Sequence, residues 1–136
     1  MNILFDTNII LDIALNREPH FVASSKVFLK IDNSDFFGFV TATTITDIYY
    51  ISKRVKGHQI TINFISDLIQ LLDVIGVNKE TIIQSLNSPL LDFEDAVQSV
   101  SAKLSNMEYI ITRNIKDFNK SEIKAITPIE FLETLK

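Results

Sequence analysis

The chain opens Met1-Asn2-Ile3-Leu4-Phe5-Asp6-Thr7-Asn8. Asn2 to Phe5 is a short apolar run, closed at once by an acid. Such a run fits a strand of a parallel sheet, which is covered on both faces and so shows no polar alternation. Three further runs match it: Phe36 to Val40 with Gly38 inside, Val74 to Val77, and Tyr109 to Ile111. Longer segments with helical spacing lie between them. Phe21, Ser25, Phe28, Leu29 and Asp32 mark one, and Ile45, Ile48, Tyr49 and Ser52 mark another. Ile62, Ile65, Ile69 and Leu72 mark a third, Val97, Val100 and Leu104 a fourth, and Ile129, Leu132 and Leu135 close the chain. Strands alternating with helices predict an α/β fold: a mostly parallel sheet, helices on both faces, and right-handed crossovers.

The length of 136 residues suits a single domain spanning 1–136. It can bury a core without disulfides or a structural metal. There is no cysteine, which excludes disulfide scaffolds, Cys-based zinc clusters and thiol nucleophiles. His20 and His58 are far apart and form no HExxH pattern. A net charge of -4 argues against coating nucleic acid by bulk charge, though not against a local basic patch. Asp6 interrupts any secretory signal, and no run approaches the ~18 apolar residues of a membrane span. The expectation is a soluble, cytoplasmic domain with no membrane attachment.

In an open α/β sheet, ligands bind outside the carboxyl ends of the strands. The predicted pattern sends acids to that edge. Asp6 follows the first strand, and Asp47 lies in the first turns of the helix after Phe36–Val40. Asp95 opens the helix that leads into Tyr109–Ile111, and Thr112, Asn114 and Asp117 follow that strand. Carboxylates gathered this way repel unless a cation joins them. Hard oxygen ligands suit Mg²⁺ or Mn²⁺, which can activate water for displacement at phosphorus. A plainer account is available for each acid taken singly. Thr44-x-x-Asp47, Asp92-x-x-Asp95 and Asn114-x-x-Asp117 all have the shape of a capping box. Asp6 is the exception, since Thr7 or Asn8 could cap the helix there.

Four segments together resemble the PIN domain, and within it the VapC-like toxins of bacterial toxin–antitoxin pairs. They are Ile3–Asn8, Thr43-Thr44-Ile45-Thr46-Asp47-Ile48-Tyr49-Tyr50, Asp92-Phe93-Glu94-Asp95-Ala96, and Tyr109-Ile110-Ile111-Thr112-Arg113-Asn114-Ile115-Lys116-Asp117-Phe118. Their order covers nearly the whole chain. The resemblance implies a three-layer α/β/α sandwich with a parallel sheet of about five strands. It implies a Mg²⁺- or Mn²⁺-dependent ribonuclease acting on RNA, with a cognate antitoxin as partner and a homodimer as the assembly. By position Asp6, Asp47 and Asp95 match the family's core acids, and Asn8 a polar residue supporting the first. Many relatives carry Glu where this chain has Asp47. Relatives often have an acid where this chain has Asn114; Asp117 is preferred for that role, because a carboxylate binds a hard cation more strongly than an amide does. These two departures leave a second reading open, a non-catalytic PIN-like binding module with incomplete metal ligation. A receiver-type phosphoacceptor ranks lower, because the first strand ends in Asp6 alone rather than an acidic pair.

Other features bear on partners. Arg54 falls within the basic cluster Lys53, Arg54 and Lys56, about two turns beyond Asp47. It could meet an RNA phosphate or an antitoxin acid, or serve as one of the cations that favour a helix end. Arg113 and Lys116, inside the fourth motif, are better placed for phosphate. Tyr49 and Tyr50 could stack a base, with one of them packing in the core. His20 near a helix start and His58 in a loop are read as structural or exposed. Ile60 to Leu72 has Asp67 as its one charge, and a helix so apolar needs cover from the core, a second copy or an antitoxin helix. An interface role for part of it is the expectation.

Overall fold

The computed structural model describes residues 1–31 and 35–136, so Asp32 of the predicted second-helix pattern lies outside the described residues. The elements run β1 (Asn2–Phe5), α1 (Thr7–Ala14), α2 (His20–Ile31), β2 (Phe37–Thr41), α3 (Ala42–Lys56), α4 (His58–Leu71) and β3 (Asp73–Ile75). Then come α5 (Lys79–Leu86), α6 (Phe93–Leu104), β4 (Tyr109–Ile111), a 3₁₀ turn (Ile115–Phe118), β5 (Ala125–Ile126) and α7 (Pro128–Thr134). The strands pair in the order β3-β2-β1-β4-β5, and every pairing is parallel. β1 is central, and the order reverses between β1 and β4. Ligands of such sheets bind at that reversal.

The side chains of β1 show why the sandwich has three layers. Successive residues of a strand point to opposite faces. Ile3 and Phe5 enter one core with Ile9, Val27, Ile48 and Phe131. Leu4 between them enters the other, with Ala102, Met107, Ile110 and Phe118. Both cores are close to fully buried, as expected for a strand apolar on both sides. The predicted fold class therefore stands: an α/β/α sandwich with a five-stranded parallel sheet.

Gly38 belongs to β2 because two side chains lie where its Cβ would be. A Cβ there would collide with Leu72 and sit 2.9 Å from the ring of Phe5. The strand begins one residue later than the apolar run suggests. Phe36 is buried against Phe131, ring centroids 4.8 Å apart, whereas Phe37 is exposed. Likewise β3 is Asp73–Ile75 rather than Val74–Val77. The predicted core tyrosine is absent. Tyr50 is exposed, and Tyr49 is half-buried with its hydroxyl 3.0 Å from His58 Nδ1. His58 opens α4 instead of lying in a loop. Among the described residues, no helix is long and apolar enough to cross a membrane.

Candidate active site

Asp6 directly follows β1 and is 6% exposed. It caps α1: its Oδ1 accepts from the Thr7 amide at 2.9 Å. The expectation that Thr7 or Asn8 would cap this helix is thus corrected. An acid can serve as both cap and ligand, because capping uses one oxygen and leaves lone pairs over. Its other oxygen, Oδ2, accepts from the Thr112 hydroxyl at 2.8 Å. Thr112 is fully buried at the end of β4, the neighbour of β1 across the strand reversal. Burial pushes the Asp6 carboxyl up; the Thr112, Gln98 and Thr7 hydrogen bonds oppose this, and the charge of Asp117 adds to the rise.

Asp95 lies in the first turn of α6. Asp92 is the N-cap there, its carboxylate accepting from the Asp95 amide at 3.0 Å. Burial raises Asp95 to about 7, helped by repulsion from Asp6, Asp92 and Asp117. Asp117 sits exposed on the 3₁₀ turn and acts on both Asp6 and Asp95. These three acids therefore share one electrostatic neighbourhood.

Asp47 lies in the second turn of α3. That helix is capped by Thr41, whose hydroxyl accepts from the Thr44 amide at 3.2 Å, so the proposed Thr44–Asp47 capping box does not form. The partner of Asp47 is Glu94. Glu94 is raised to about 7, first by a hydrogen bond to Asp47, then by burial and by repulsion from Asp47, Asp92 and Asp6. Nothing in the sequence pattern around Asp92–Ala96 singles out Glu94 from its neighbours. Asn114 precedes the 3₁₀ turn without a side-chain cap bond, so no capping box forms with Asp117 either.

The remaining expected residues divide. Asn8 is half-buried inside α1; among the described residues the hydrogen bonds on Asp6 come from Thr112, Gln98 and the Thr7 amide. Asn114 is exposed and supports Thr112 through its backbone, its amide donating to the Thr112 hydroxyl at 3.1 Å. Lys116 reaches the acids: a groove of about 260 Å³ is lined by Leu91, Asp92, Asp95, Lys116, Asp117 and Lys120, among others. Arg113 does not face outward as expected for a phosphate contact. Its Nε lies 3.4 Å from the fully buried carboxylate of Asp12, which Arg17 also approaches at 3.8 Å. Removing one partner of a buried pair strands the other charge, so Arg113 is committed to the fold. Arg54 is exposed in the last turn of α3, about 10 Å of helix beyond Asp47 and leading away from the rim.

The donor set is all oxygen and acidic, which suits a hard divalent cation rather than zinc or copper. The raised carboxyls fit the same account, since a cation would relieve the repulsion. Among the described residues no three Asp, Glu or His side chains converge as a ready metal cage. Mutually repelling carboxylates have no reason to close without a cation between them.

A PIN domain family model matches residues 2–116. The chain belongs to the PIN domain family. Its fold is that of VapBC2 from Rickettsia felis, solved bound to a promoter DNA fragment, at a TM-score of 0.72 and 12% identity over 93% of this chain and 98% of that one. VapBC-1 from nontypeable Haemophilus influenzae gives a TM-score of 0.71 at 16% identity, over 95% and 99% of the two chains. A Mycobacterium tuberculosis VapC described as a sarcin–ricin-loop-cleaving toxin gives 0.66 at 10%, over 79% and 86%. No curated protein sequence matches the chain.

Proposed function

We propose that this PIN domain is a Mg²⁺- or Mn²⁺-dependent endoribonuclease, the toxin of a type II toxin–antitoxin pair. The observation that carries the reading is the shared neighbourhood of Asp6, Asp95 and Asp117 at the strand reversal, with Asp6 fixed on both oxygens. A bound divalent ion supplies a more acidic water and offsets charge at phosphorus. Asp6, Asp95 and Asp117 would hold it, with Asp47 completing the set from α3. Thr112 and the Thr7 amide hold the Asp6 carboxylate in one orientation, which lowers the cost of ordering it at each turnover. Lys116 and Lys120, in the groove beside the acids, are placed to meet the phosphates of an RNA strand. Structural similarity to proteins of VapBC pairs, and to a VapC described as a sarcin–ricin-loop-cleaving toxin, supports the same assignment.

The partner surface belongs to the same proposal. Ile60, Ile62, Ile69 and Leu71 of α4 are exposed, while Leu68 is buried. A cognate antitoxin or the partner of a homodimer would cover the exposed set. A toxin of this kind acts in the cytoplasm, where RNA is found.

Two measurements test the proposal. Expression should arrest growth, and Asp6→Asn should relieve the arrest with the fold intact, since Asn caps a helix as well as Asp. Calorimetry should show Mn²⁺ binding that Asp95→Asn weakens. No Mn²⁺ binding at millimolar metal would instead favour the non-catalytic module.

A further inference from the structure

The largest fully buried polar side chain is Gln98, 1% exposed on α6. Its Oε1 accepts from the Thr41 hydroxyl at 2.8 Å, and its Nε2 donates to the Thr44 hydroxyl at 3.0 Å. The same Nε2 faces Thr7 Oγ1 at 3.4 Å and Asp6 Oδ1 at 3.5 Å. Thr7 and Thr44 close the circle, their hydroxyls 2.8 Å apart. An ionised carboxylate only accepts, so the donor end of the amide must face Asp6, which fixes which way the amide points.

The partners come from the segments that carry the acids. Asp6 and Thr7 join β1 to α1. Thr41 and Thr44 start α3, one turn before Asp47. Gln98 is three residues after Asp95, on the same side of α6. One amide thus ties together three of the four acid-bearing segments, the 3₁₀ turn with Asp117 standing outside the network. A buried polar network with every member satisfied specifies a single arrangement, and loss of one member leaves the others unpaired.

We infer that Gln98 is a positioning residue: its amide, anchored on Thr41 and Thr44 and 3.5 Å from Asp6 Oδ1, holds the Asp6 carboxylate in orientation together with the Thr7 amide and Thr112. The inference rests on the metal-dependent reading for its consequence and on geometry alone for its content. Outer partners of metal ligands change affinity by about 10- to 100-fold when lost.

The test compares Gln98→Met, which keeps the volume and removes the donor, with Ser101→Ala, which trims another buried polar group on the same helix. Crystal structures of the metal-free proteins read the Asp6 carboxylate directly, and calorimetry with Mn²⁺ reads its consequence. In Gln98→Met, Asp6 should turn from its present orientation and the Mn²⁺ dissociation constant should rise about tenfold, while Ser101→Ala matches the unsubstituted protein. Should Gln98→Met not fold, Gln98→Asn retracts the same amide by one methylene and should move Asp6 likewise. Asp6 left in place overturns the inference, as does unchanged Mn²⁺ affinity where Asp6 has moved. If the unsubstituted protein itself binds no Mn²⁺, the metal-dependent reading fails; the orientation of Asp6 in the variant still decides the role of Gln98.

Discussion

Thr112 holds Asp6 Oδ2 at 2.8 Å and is itself held by the Asn114 amide. Thr112→Val keeps the shape of the side chain and removes this bond. RNA cleavage by the variant should fall about 10- to 100-fold, and the thermal midpoint should drop because Asp6 Oδ2 and the Asn114 amide both lose a partner; a rate equal to that of the unsubstituted chain would remove Thr112 from the site. Asp95 gives a prediction in pH. Its carboxyl titrates near 7 when folded, against an ordinary value of 3.8. Between those values the folded chain binds more protons than the unfolded one, so the contribution of Asp95 to stability falls as pH rises through the window and is flat above it. Asp95→Asn removes that penalty. Without metal, the variant should melt above the unsubstituted protein at pH 8, and the gap should close toward pH 4; the reverse trend in a thermal melt would show the carboxyl is not raised. The candidate acids Asp6, Asp47, Asp95 and Asp117 were legible in the sequence because each lies just after a strand or in the first turns of a helix that starts at the same edge. The sequence hid Gln98 and Glu94, whose roles arise only when distant segments meet, and it hid the buried Asp12 that takes Arg113.

The strands and helices were legible where apolar periodicity was long, as in α3, α4 and α6. Edges were not. β2 starts at Phe37 rather than Phe36 because pairing with Asn2 of β1, not hydrophobicity, decides where a strand begins. β5 is Ala125–Ile126, too short to carry any pattern, and α5 has no apolar stripe to read because its buried residues are Thr81 and Ser85 rather than aliphatics. Gly38 sits inside a strand because Leu72 and Phe5 fill the space of a Cβ. Gly38→Ala should overpack this side of the core and cost roughly 1–3 kcal/mol. Urea denaturation would measure it, and a variant as stable as the parent would mean that Leu72 and Phe5 yield freely.

Parallel topology brings the acids together without any of them being near in sequence. Strand order 3-2-1-4-5 sets the ends of β1 and β4 side by side, and the helices that enter the sheet from that edge contribute Asp47 and Asp95. The acid rim accounts for part of the overall charge of -4, and under the proposed function a bound cation would offset it locally. A ligand that binds only the folded chain stabilises it by mass action, about 2.7 kcal/mol at one hundred times its dissociation constant. Mn²⁺ should therefore raise the thermal midpoint of the unsubstituted protein and leave Asp6→Asn nearly unmoved; an equal rise in both would place the metal elsewhere. The decisive measurement is cleavage of a labelled RNA by purified protein with Mn²⁺, with excess chelator, and by Asp6→Asn whose melting curve matches the parent. Cleavage with Mn²⁺ alone, lost in both other conditions, is the expected result. Cleavage that survives the chelator, or that Asp6→Asn retains in full, would contradict a metal-dependent site built on this rim.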